Sequence, residues 1–283
     1  MIVIARLTVR ELVRRRIVLL LAVLTIVSVA LVAFGVERLV TLAREEGLPE
    51  LEIRIGVSQI MILIAFMFSF VLAMTAAFLG APAIGGDIES GVALALLAHP
   101  LGRIDLLLGR WLGLALVVVG YTVASGALAI GVVAGISGFG PPHPVLALAF
   151  LSAQAVVLMT LTLALGTVMP AIGAGAVAVV AFGVGWMAGV LAAVAAAFGL
   201  ESLAGAAEAS RWLFPSDGLW RGVVYGLEPP LAAMIANGAS PSGVEANPFF
   251  ALEPPPVAFD IWSIVWVVIV LGLAGWRLSR RDL

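Results

Sequence analysis

The sequence predicts an all-α integral membrane protein: six transmembrane helices, with an N-terminal amphipathic helix lying in the membrane interface. Three observations predict it. Of 283 residues, 63% are hydrophobic and only 11% charged, whereas soluble domains carry about 25% charged residues. Mean hydropathy is +1.18. The charges gather between long apolar runs, and a run of about 20 residues rising 1.5 Å each crosses a ~30 Å hydrocarbon core.

Residues 2–16, IVIARLTVRELVRRR, place Ile2, Ala5, Val9, Leu12 and Val13 on one helical face and Arg6, Arg10 and Arg14 on the other. Such a helix lies in the bilayer interface with its Arg side chains toward lipid phosphates. Span 1 covers residues 17–36. It is longer than the ~7 to 15 apolar residues of a signal peptide and runs into Glu37-Arg38, so it reads as an uncleaved span. Residues 37–56 read as a polar loop. Span 2 covers 57–82, ended by Pro82 and Gly85-Gly86, and span 3 covers 107–135. A Gly-Pro-rich turn at 135–144 leads to span 4 at 145–168. Met169-Pro170 and Gly173 turn the chain into span 5 at 174–198. Residues 199–258, with two Pro clusters and a Gly/Ser/Pro patch, form a long outer segment. A short apolar piece such as Pro230–Ile235 is its candidate for re-entering the membrane. Span 6 covers 259–276. No second domain is expected: 1–283 reads as a single transmembrane unit, with an interfacial helix at 1–16, a cytoplasmic loop at 83–106 and an extracytoplasmic segment at 199–258.

Orientation follows from Arg near the span ends. With the N-terminus inside, ten of the 15 Arg fall on inner segments and five on outer ones, while twelve of the 17 acidic residues fall outside. Six spans with both termini cytoplasmic, in the cell membrane, satisfy this pattern.

Several chemistries are excluded. There is no cysteine, hence no disulfide framework or thiolate nucleophile. All 15 basic residues are Arg. A Walker A loop needs Lys at the nucleotide phosphates, so this chain is not itself a P-loop ATPase. Gly135-Ile136-Ser137-Gly138 matches a Gly-x-Ser-Gly protease motif, but its only nearby base is His143 in the same turn, and the stretch reads as a turn. His99 reads as a solvated turn residue. Met61, Met67 and Met74 in span 2 read as packing residues rather than a Cu(I) site. No ionisable residue is expected mid-span, which argues against a proton- or ion-coupled carrier. Gly185 and Gly189 in span 5 permit close helix contact, either within one bundle or at a seam between two copies. No metal site and no nucleic-acid partner are expected.

Residues 83–113, AIGGDIESGVALALLAHPLGRIDLLLGRWLG, hold the inner charges. Asp87 follows a Gly-Gly break and suits a helix N-cap, and Asp87 and Glu89 place negative charge at the positive end of that helix. Residues 88–98 make about three turns, too short to span a bilayer. Pro100 and Gly102 end them. Arg103 and Arg110, seven apart, share the face of the next helix where Arg snorkels to the interface. On chemistry alone this is either an interfacial loop helix or a docking element.

The run from DIESG through HPLGRIDLLLGRWLG resembles the loop between spans 2 and 3 of type-2 ABC-transporter permeases. Those loops carry an acidic-Glu-Ser-Gly-Thr start, a Leu-rich helix, a Ser/His-Pro turn, an Arg and a Gly-Lys/Arg-Trp/Tyr-Leu-Gly entry to span 3. IARLTVRELVRRR, RLSRRDL and RWLFPSDGLWRG at 211–222 are also similar to segments of these permeases. Val92 departs from the usual Thr. The resemblance implies a permease subunit of an ABC exporter, with a coupling helix docked on a separate cytoplasmic ATP-binding subunit. A second permease copy, homo- or heterodimeric, completes the assembly in the lipid bilayer. Carried over, Asp87, Ile88, Glu89, Ser90 and Gly91 form the docking tip, and Arg103, Asp105 and Arg110 support the cytoplasmic face. No catalytic residue or cofactor is expected in this chain: ATP and Mg2+ belong to the partner. The rival expectation is a membrane scaffold that passes ATPase motion to an extracytoplasmic partner without moving a solute.

Overall fold

A computed structural model describes residues 1–14, 16–89, 102–197, 199–229 and 247–280. The described residues are helical, with short connections and no strand. In chain order the helices are α1 (Ile2–Arg14), α2 (Arg16–Glu45), α3 (Glu50–Ala81), α4 (Arg103–Ser137), α5 (Pro144–Leu165), α6 (Ala171–Ala197), α7 (Glu201–Leu213), α8 (Ser216–Leu227) and α9 (Val257–Ser279). Six of them, α2 to α6 and α9, are long and apolar enough to cross a membrane. They run alternately up and down. The near end of the bundle carries α1 and the starts of α4 and α6; the far end carries α7 and α8.

Local chemistry fixes the helix ends. Pro144 opens α5 at a position where its missing N–H costs nothing. Gly138, with φ 69°, closes α4 in the left-handed conformation, its N–H donating to the Ala134 carbonyl at 3.0 Å. The Gly-x-Ser-Gly stretch is therefore a helix terminus. Ser137 is buried, its Oγ donating to the Val133 carbonyl and accepting from the Phe139 N–H.

α5 is the centre of the bundle. It packs against α3, α4, α6, α8 and α9, and 61% of its span is buried, against 11% for α2. α2 stands partly off the bundle, beside a largely apolar cavity of about 440 Å3 between α2, α3, α4 and α5.

Two expectations about connections are corrected. Residues 37–56 are not a loop. α2 runs on to Glu45 and α3 starts at Glu50, because Val36, Val40 and Ala43 find apolar cover with Ile53 and Val57 in the core. The segment after α6 is likewise not all outer loop, since α7 runs along α6 and α8 is buried against α5, the two forming a helical hairpin. Gln154, about 15 Å along α5, donates to the Ser216 carbonyl at 3.1 Å. Trp266, about 14 Å along α9, donates to the Leu213 carbonyl at 2.8 Å. α8 lies so close to α5 that a Cβ added at Gly226 would stand 2.8 Å from Ala147. Pro230–Ile235 lies outside the described residues.

Candidate functional site

The near end gathers most of the residues singled out in the 83–113 stretch. α3 does not stop at its last α-helical turn. Pro82 offers no N–H to the helical ladder, and the backbone widens into a π turn, Pro82–Gly86, before one α turn, Asp87–Glu89. Gly85 in that turn lies directly on the turn between α5 and α6. A Cβ there would stand 3.3 Å from the Ala171 backbone and from the Gly166 carbonyl.

Asp87 and Glu89 are both engaged within the chain. Arg110 Nη2 donates to Asp87 Oδ2 at 2.7 Å, and Arg110 Nη1 donates to Glu11 Oε2 of α1 at 2.9 Å. Arg110 and Asp87 are 13% and 16% exposed, Glu11 44%. A planar guanidinium with several donors suits a position between two carboxylates. Glu89 Oε1 accepts the Ala171 N–H at 2.8 Å, satisfying an orphan donor of the first turn of α6 and placing charge at its positive end. Ile88 is half-buried against the core. Ser90, Gly91, His99 and most of the short helix expected over 88–98 lie outside the described residues.

Arg103 reaches α9: its Nη1 donates to the Leu278 and Ser279 carbonyls at 3.0 and 3.2 Å, where a cation complements the helix C-terminus. Asp105 stands 3.7 Å from the N-terminal ammonium, both groups well exposed, a geometry worth little.

The expectation that Arg103 and Arg110 share an interfacial, snorkelling face is corrected. Each is turned onto another helix, because backbone carbonyls and carboxylates stand within reach. The Gly-Arg-Trp-Leu-Gly run explains how. Gly109 and Gly113, four apart, let α1 lie on the α4 backbone: a Cβ at either would stand 2.6 Å from Ile4 or 2.7 Å from Thr8. Arg110 between them reaches α1 and Asp87, and Trp111 donates its indole N–H to Thr160 Oγ1 of α5 at 2.8 Å. The side of α1 that meets the bundle includes only part of the expected apolar face, Ala5 and Leu12. Ile4, Ala5, Thr8 and Leu12 are buried against the bundle, whereas Ile2 and Val13 are 75% and 59% exposed.

Sequence reasoning missed Glu11, the seat at Gly109 and Gly113, and the contact with α6. Two signals were available: the Gly-x-x-x-Gly spacing, and a lone acid in an Arg-rich helix.

The hairpin at the far end and the residue just past it carry further buried charges. Arg211, in the last turn of α7, donates from Nε to Asp217 Oδ2 at 2.7 Å, and Asp217, in the first turn of α8, is 3% exposed. Each charge opposes the partial charge of its own helix end. Trp262 and Trp266 of α9 donate indole N–H groups to the carbonyls of Trp212 and Leu213 at 2.7 and 2.8 Å, filling the open acceptors that end α7. Gly185 and Gly189 of α6 face this tip. A Cβ at Gly185 would meet Ser216 Oγ at 2.9 Å, and one at Gly189 would overlap the Asp217 carboxylate. These glycines therefore serve a contact within one chain. Glu228, just past α8, is 1% exposed. Burial raises its carboxyl to about 7 despite hydrogen bonds from the Ala251 N–H and Gln59.

A family model described as ABC-2 family transporter protein matches residues 2–283. No curated protein matches the chain.

Proposed function

The chain belongs to the ABC-2 family of transporter proteins, and we propose that it is the membrane subunit of an exporter driven by ATP hydrolysis on a separate ABC ATP-binding subunit. Two permease copies and two ATPases form the working assembly, with ATP and Mg2+ held by the ATPases. The near end faces the cytoplasm, where the excess of Arg belongs. The 83–106 loop is the docking element. Ile88, Ser90 and Gly91 belong to its tip, while Asp87 and Glu89 fix its root and Arg103, Asp105 and Arg110 support its base.

One observation carries this reading. The root of the loop is fastened to four other helices at once: to α1 and α4 through Arg110, to α6 through Glu89, and to α5 through the Gly85–Gly166 backbone contact. A passive interfacial loop needs no such fastening. A loop that receives force does, because displacement reaches the spans only through packed or hydrogen-bonded neighbours.

The test is co-purification and ATP-driven solute uptake in inverted vesicles that hold the permease and its ATPase. The triple substitution Ile88→Arg, Ser90→Arg, Gly91→Arg is expected to release the ATPase. Unchanged co-purification and uptake would defeat the docking assignment. ATP hydrolysis that responds only to a separate protein at the far end, with no solute moved, would assign the scaffold role instead.

A further inference from the structure

We propose that Glu89 is a positioning residue that ties the docking loop to the start of α6, and that α6 carries displacement of the loop to the α7–α8 hairpin at the far end. The proposal rests on the reading that an ATPase drives the loop, and adds where the motion goes.

The 27 residues of α6 contain no proline and no charge, so it is an unbroken rod about 40 Å long. It makes unusually close contacts at its near end and again from its midpoint onward. At the near end the Ala171 N–H is held by Glu89 at 2.8 Å, and the Gly85 backbone lies against Ala171. The Gly85 contact is backbone on backbone and leaves no side chain to absorb movement. Toward the far end Gly185 and Gly189 take the hairpin tip, Phe214, Ser216 and Asp217, against bare helix backbone.

A rod gripped this way cannot shift or rotate at one end alone. Movement of Ala171 relative to α5 must move the tip of the hairpin, or open the Arg211–Asp217 pair packed on Gly189. Close-packed contacts change between discrete arrangements rather than yielding smoothly. The route is thus contiguous, from a carboxylate at the loop root to a charge pair in the hairpin.

The chain has no cysteine, so Ala209→Cys on α7 and Val145→Cys at the start of α5 give two unique spin-label sites. The experiment measures the distance between these labels by electron–electron resonance in the vesicle-embedded complex with its ATPase, with and without ATP. ATP is expected to shift the distance in the otherwise unaltered chain. In Glu89→Ala the ATPase still co-purifies and the shift is lost. In Glu89→Gln, whose amide oxygen still accepts the Ala171 N–H, the shift returns. Gly189→Ala, farther along the rod where the hairpin tip packs, is expected to remove the shift too, and provides the test if Glu89→Ala does not fold. A full shift in both Glu89→Ala and Gly189→Ala overturns the proposal. Loss of the ATPase from Glu89→Gln and Glu89→Ala alike overturns it differently, by making the Glu89 charge a docking contact. An ATPase that never co-purifies with the unaltered chain defeats the docking reading itself and takes this proposal with it.

Discussion

At the residue scale, Arg110 and Glu228 are the two side chains whose surroundings set measurable expectations. Arg110 stands between Asp87 and Glu11, and the two sides are unequal in burial. Removing the guanidinium takes the cation at 2.7 Å from a mostly buried carboxylate, so Arg110→Gln is expected to cost about 3 kcal/mol. Glu11→Gln, on the exposed side, is expected to cost at most about 1 kcal/mol. Thermal unfolding of the detergent-solubilised chain separates the two, and equal losses would contradict the burial argument. Glu228 gives a pH dependence. Its carboxyl titrates at about 7 in the folded protein, held up by burial, and near the ordinary carboxylate value when unfolded. The folded state therefore binds the proton more tightly. Stability is highest below the unfolded value, declines as pH rises through about 7, and levels off above it, a loss of about 3 kcal/mol in all. Glu228→Gln is expected to flatten that decline, because Gln59 can turn its amide to accept from the new one while the remaining oxygen keeps the Ala251 N–H. A decline that persists in the variant would show another group to be responsible. The sequence marked Asp87, Glu89, Arg103 and Arg110 as important because charges are scarce in so apolar a chain. It did not disclose their partners. Glu11 and the Ala171 N–H are brought there by packing of α1 and α6, which no local pattern around 83–113 encodes.

At the element scale, the hairpin shows why some of the fold was legible and some was not. The six spans announce themselves by length and apolarity. α7 and α8, at 13 and 12 residues, are too short to span a bilayer. Flanked by Pro and Gly/Ser-rich stretches, they read as loop. The burial of α8 and of the turn before it depends on contacts with residues far away in the chain: Gln154, Gly189, Trp262 and Trp266. The RWLFPSDG run did hold the relevant chemistry, a cation ending one helix and an acid starting the next. The two indoles of α9 are the hairpin's most specific support. Trp266→Phe keeps the ring but strands the Leu213 carbonyl in an apolar setting, at an expected cost of about 1–3 kcal/mol. Slower proteolysis at the hairpin in the unaltered chain than in Trp266→Phe is the corresponding observation, and equal rates would show that the indole bond adds nothing. The seat of α1 on α4 was legible in principle, since Gly109 and Gly113 have the spacing of a close helix crossing. Which side of α1 meets the bundle was not legible, because α1 has apolar groups on more than one side and amphipathicity alone does not say which side meets protein.

At the scale of the whole molecule, the alternating spans put α1, residues 83–89, the start of α4 and the end of α9 together, with the hairpin opposite. If the near end is cytoplasmic, a membrane-impermeant thiol reagent applied to intact cells is expected to label Leu48→Cys and Val145→Cys and to spare Val3→Cys; the reverse pattern would invert the assignment. All three substitutions are at exposed positions in a chain with no other thiol. The spans, their order and the near-end clustering were readable from hydropathy and Arg placement. The central role of α5 was not, because its sequence is no more apolar than that of its neighbours, and its position follows only once the other helices surround it. The docking of α1 has a further consequence for how the molecule comes into being. The seat that receives Ile4, Thr8 and Glu11 is made by Gly109, Arg110 and Gly113, about a hundred residues later in synthesis. The first helix leaves the ribosome long before its partner exists, so it must wait on the membrane surface while three spans insert. Assembly is thus two separate events, insertion and then closure. A nascent chain stopped short of residue 109 would lack the seat for α1 and the guanidinium shared by Glu11 and Asp87.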